Sequence, residues 1–351
     1  MYLDEDIQSA VETGILTHDN AIAFREHVAQ SRGTAIADDE HFRLVTGFND
    51  IFVSIACLLF LVSLAWIGTT TVTPWFGAIL CVIATWGLAE YFTRKRGMAL
   101  PSIVLLLGFI GTVLATAGFL LVGPFDNLLL QNDFVGTRND ARTVTLCVAT
   151  GIAAIAALLH WRRFKVPITV AAGTATAVAC VITLFAAVLP EESLWWMNII
   201  TFCGGLAVFV LAIRWDMSDR HRRTRRSDVG FWLHLVAAPL LVHPIFSYLD
   251  VFDSYITGWQ AGGVLFLYVL IAIVSIVVDR RALMISALIY VVYAFTVLLE
   301  ASGIGLSFAL TGLTISSGLL LLTVFWHSCR KAVIKLVPQL VQELLPPVRI
   351  F

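Results

Sequence analysis

Charge is scarce in this sequence. Only 13% of its 351 residues are Asp, Glu, Lys or Arg, against about 25% in ordinary globular chains. So little charge cannot cover a chain of this length with a water-soluble surface, so most of the surface is expected to face lipid. The polybasic stripe of nucleic-acid binders is missing, and no nucleic-acid partner is expected. Six cysteines are present, but none forms a CxxC pair. Cys57, Cys81, Cys147, Cys180 and Cys203 lie inside apolar runs and read as packing residues, so neither a disulfide framework nor a metal site is expected. The start, MYLDEDIQSAVE, lacks the basic segment that opens a signal peptide. No GxSxG, HExxH or glycine-rich phosphate loop occurs, so no catalytic residue and no cofactor is expected.

What the sequence has in excess is hydrophobicity. Apolar residues make up 59% and the mean hydropathy is +0.87. Ten apolar runs lie between Phe48 and Trp326. Each is about 18–22 residues long, the length that crosses a hydrocarbon core of about 30 Å as a helix. Without polar alternation a closed barrel is excluded. The expected fold is all-α: a polytopic bundle of about ten transmembrane helices over residues 48–327, with the lipid bilayer as its first partner.

Lysine and arginine set the orientation. Along the chain, basic connections alternate with nearly uncharged ones, and 21 of the 23 basic residues fall on one side. That side is expected to be cytoplasmic, with both termini on it. The longest connection on the other side is Gly123–Arg142, with Asp126, Asp133 and Asp140. Residues 1–47 read as a small cytoplasmic helical hairpin and linker. Ile7, Val11 and Ile15 recur at helical spacing, and Gly14 offers a helix stop. Thr17 can cap a second helix to about Ser31, with Ala21, Phe24 and Val28 on one side. Residues 328–351 read as an amphipathic tail in the membrane interface. Val333, Val337, Leu340, Val341 and Leu344 share its apolar face, with a break or kink at Pro338.

The seventh run, DVGFWLHLVAAPLLVHPIFSYLD from Asp228 to Asp250, carries the candidate polar site. It holds His234 and His243 beside Pro239 and Pro244. An ionisable group at membrane depth is costly and points to function by default. Nine residues of helix separate the histidines and put them on opposite faces, so they share no ligand on a straight helix, and haem ligation is not expected. Each proline leaves a carbonyl without its donor, which favours a bend. Asp50 and Glu90 stand at the basic ends of the first and second runs, at a depth similar to His234, and complete the candidate set. Two readings stay open for His234 and His243: a proton or substrate site in a broken helix, or histidines bonded to neighbouring helices around a structural kink. No acidic partner stands in mid-run.

Several stretches together resemble an uncharacterised family of bacterial polytopic membrane proteins, a domain of unknown function. They are the head DIQSAVETGILTHDNAIAF, the first-span start FRLVTGFNDIFV, the motif FWLHLVAAPLLVHPIF and the tail ending LLPPV. The resemblance implies a short helical head, about ten spans and a bacterial inner membrane. It implies no activity, and no functional residue carries over. The expected function is therefore a non-catalytic membrane or envelope protein that binds a partner through its head or tail. A transporter with the seventh helix in its pathway is the alternative, and a membrane enzyme the third.

Overall fold

The structure, a computed structural model, describes residues 4–31, 48–122, 138–188, 195–219, 224–249, 258–301, 306–342 and 345. The linker 33–40, the loop residues Asp126 and Asp133 and the Pro346-Pro347 end lie outside them. The chain divides into two compact units, 1–43 and 44–351.

In the first unit, α1 (Asp4–Glu12) and α2 (His18–Ser31) pack as a hairpin. Gly14, at φ 73°, ends α1, and the Asn20 amide donates to Thr17 Oγ1 at 3.3 Å, capping α2. Ile7 and Ala21 are buried between the helices. Ile15 departs from its expected face. It follows the turn instead of continuing α1, and is 78% exposed.

The second unit holds ten helices long and apolar enough to cross a membrane, and no strand among the described residues. They are α3 (Phe48–Thr71), α4 (Pro74–Ala89), α5 (Ala99–Leu121), α6 (Arg138–Phe164), α7 (Pro167–Val188), α8 (Trp195–Met217), α9 (Arg225–Ser247), α10 (Gly258–Val278), α11 (Ala282–Ala301) and α12 (Ser307–Ile334). The fold is an all-α polytopic bundle. A π-helical turn, Glu90–Lys95, extends α4. The bundle has a basic end, where Arg94, Arg163, Arg214, Arg225 and Arg280 gather, and an opposite end poor in lysine and arginine.

Among the described residues the buried apolar side chains form four clusters, the smallest being Ile276, Met284 and Trp326. Leu105, Leu106 and Phe109 of α5 pack with Leu61, Cys81 and Ala157. Val229, Leu233 and Ala237 of α9 pack against Ala171 of α7 and Val208 and Ala212 of α8. Beyond Pro239 the same helix changes neighbours: Val242 and Phe246 pack with Val264 of α10 and Ala287, Tyr290 and Val291 of α11. α9 thus joins the two halves, and half of its apolar stretch is buried, the largest share of any span. α7 and α8 touch sparsely, leaving an open, almost entirely apolar cleft of about 650 Å³ bordered by Val178, Phe185, Trp196 and Cys203.

α12 runs two turns past Trp326 and ends at Ile334, with Arg330 buried in its last turns. The chain then turns and resumes as α13 (Gln339–Gln342). The break spans Lys335–Pro338, and the Gln342 side chain donates to the Ile334 and Val337 carbonyls at 3.0 and 2.7 Å. The side chains of Leu340, Val341 and Leu344 lie outside the described residues.

Candidate functional site

At the basic end, α8 and α9 bring a carboxylate against a histidine. Asp216 lies in the last turn of α8 and His234 in the third turn of α9. His234 Nε2 lies 2.9 Å from Asp216 Oδ2. Because a carboxylate only accepts, Nε2 carries the proton. Arg280, in the turn between α10 and α11, donates from Nη2 to Asp216 Oδ1 at 2.6 Å and from Nε to Oδ2 at 3.3 Å. This is the two-pronged guanidinium–carboxylate geometry that a lysine cannot reproduce. Arg280 Nη2 also donates to the Ser227 carbonyl at 3.2 Å. His234, Arg280 and Asp216 are 0%, 2% and 6% exposed. Gly230 makes the approach possible, since a Cβ there would overlap Asp216 Oδ1.

The same turn reaches α12. Asp279, held at φ 61°, accepts from Trp326 Nε1 at 2.9 Å and pairs with Arg330 Nη1 at 3.5 Å. Arg281 places its guanidinium 4.9 Å from the centre of the Trp326 ring. Ser275 donates to the Arg280 carbonyl, and the Arg280 amide returns to the Ser275 carbonyl at 3.0 Å. Three consecutive residues therefore tie α8, α9 and α12 to the α10–α11 hairpin. Asp216 with Arg280, and Asp279 with Arg330, are each balanced pairs, as burial requires.

The expected site residues are spread over separate places. His243 is exposed toward the end poor in basic residues. Its Nδ1 lies 2.6 Å from the Tyr290 hydroxyl of α11, and Ser247 Oγ lies 3.5 Å from Nε2. It shares no partner with His234. Pro239 and Pro244 sit inside a helix that continues through both. A Cβ on Gly205 of α8 would lie 2.8 Å from the Leu240 carbonyl carbon, so α8 covers the carbonyl that Pro244 leaves without a donor. Glu90 faces Arg163 at 2.6 Å and Arg94 at 3.2 Å on the surface, apart from His234. Asp50 is buried in the first turn of α3, where its carbonyl accepts from Ser54 Oγ at 2.7 Å.

Sequence reasoning passed over Asp216, Arg280, Asp279 and Arg330, because each stands at the margin of a run and reads as a loop or topology charge. It also passed over His160 at the end of the fourth run. That side chain is buried among Trp86, Phe109 and Phe164, with Nδ1 3.3 Å from Thr169 Oγ1. Among the described residues, no three His, Cys, Asp or Glu side chains are placed to hold a metal.

Ten apolar spans with charges paired inward define a multi-pass α-helical membrane protein. No family model, curated protein or solved structure matches the chain, which agrees with a resemblance to a family without assigned activity.

Proposed function

We propose that the chain is a non-catalytic protein of the bacterial inner membrane that binds a protein partner through its N-terminal head. The observation that carries this reading is the hairpin's own surface. Ile15, Ile22 and Phe24 are exposed on a small compact unit, and exposed apolar groups on so small a unit suit a binding face. The paired, buried charges of the bundle favour a scaffold over a working pathway. The basic bias of 21 to 2 supports a cytoplasmic head and tail. A photo-crosslinking amino acid at position 15, 22 or 24 should trap one protein adduct of defined mass in cells, while one at the polar Gln8 should not. Added soluble head peptide should compete the adduct away. Absence of an adduct at all three apolar positions overturns the reading.

Asp216 favours a second reading, as a transporter. It supplies His234 with the acidic partner that the runs lack, on the most buried helix of the bundle. In that case a cysteine in place of His234, in a background free of the native cysteines, reacts rapidly with a membrane-impermeant thiol reagent from one side. No labelling from either side removes this reading.

A further inference from the structure

We propose that Cys147 of α6 and Cys180 of α7 are a redox pair that closes into a disulfide by reducing a lipid-soluble quinone. Their sulfurs are 3.9 Å apart and unbonded, about 2 Å beyond bonding distance. Their hydrogen bonds are reciprocal. Cys147 Sγ lies 3.6 Å from the Cys180 carbonyl oxygen, and Cys180 Sγ 3.4 Å from that of Cys147. Each thiol is thus held toward the other chain segment, and the two sulfurs face across one helix seam. That seam is closely packed. Gly151 lies against Cys180 Sγ, and a Cβ on Gly173 would lie 3.2 Å from that of Ala157. Cys81, by contrast, gives its thiol to the Leu61 carbonyl at 3.3 Å inside a core.

Position selects the oxidant. Five residues separate Cys147 from the start of its span at Arg142, and eight separate Cys180 from Val188. At helical rise this places the pair about 8–12 Å inside the bilayer. Both thiols are half-buried, flanked by the exposed Leu146 and Leu184. A two-electron acceptor dissolved in the hydrocarbon reaches them more readily than one in water. Two S–H bonds break and one S–S bond forms. The two protons and two electrons pass to the quinone, whose carbonyl oxygens become the hydroxyls of a quinol. The turn at Lys165–Val166 already closes the α6–α7 hairpin at its basic end, and the disulfide closes the other.

The test uses the full-length chain in lipid vesicles containing a short-tailed ubiquinone analogue. After quenching and denaturation, maleimide-reactive thiols should fall from six to four, with about one quinol formed per chain by the two-electron balance. Dithiothreitol should restore all six. Peptide mapping of the oxidised wild-type chain should recover one linked pair, containing Cys147 and Cys180. Cys147→Ser and Cys180→Ser should each keep five thiols and form no quinol. Six reactive thiols after exposure, a linked pair elsewhere, or quinol formation that persists in both variants overturns the proposal. Closure by copper–phenanthroline without closure by the quinone overturns the quinone as acceptor.

Discussion

Asp216 meets two donors at once, an imidazole and a guanidinium, and all three groups are buried. The consequence of removing it follows from what stays behind. Asp216→Ala leaves Arg280 as a buried cation without its carboxylate, and breaking a buried pair from one side costs roughly 3–5 kcal/mol. The expected result is a large fall in thermal stability in detergent, read as loss of monodisperse protein after heating. Unchanged stability would show that the Arg280 guanidinium finds water or another acceptor. Gly230→Ala should act in the same direction, because the added methyl displaces the same carboxylate oxygen. Glu90 is the contrasting case. Its two arginine partners lie at the surface, where solvent screens the pair and holding long side chains costs entropy. Glu90→Gln should leave the melting temperature unchanged within error.

At the scale of the helix, α9 shows how two prolines are accommodated within a span. The helix continues through Pro239 and Pro244, and it changes partners there, from α7 and α8 to α10 and α11. The spans themselves were legible in the sequence, because a membrane helix needs only length and apolar composition. Their margins were not. A residue such as Asp216 or Arg330 scores as a loop charge by hydropathy, and only the crossing of a second helix reveals that it is buried. Arg280 is the clearest example. In the sequence it serves as a topology marker two residues past a run. In the structure it turns back 64 positions to Asp216. The partner of His234 was hidden for the same reason, while the separation of His234 from His243 needed only the 100° step of a helix. The head hairpin was legible through Gly14 and Thr17, but not the exposure of Ile15, which depends on where the turn releases the chain.

At the scale of the whole molecule, the even number of spans and the uneven placement of basic residues make a joint prediction. A reporter fused after Phe351 should be active only in its cytoplasmic form, and one inserted between Glu192 and Ser193 only in its periplasmic form. Activity of the same type at both sites would contradict the alternation. The three-residue turn Asp279–Arg281 has a further consequence, for the order in which the protein is made. Arg280 follows Asp216 by 64 positions and His234 by 46, so the pair is complete about 2–9 s before the arginine is made at ordinary elongation rates. During that interval the carboxylate and imidazole have each other but lack the guanidinium. A chain truncated before the turn would hold Asp216 with the imidazole alone, and is expected to be cleared from cells faster than the full-length chain, as a pulse-chase comparison would read.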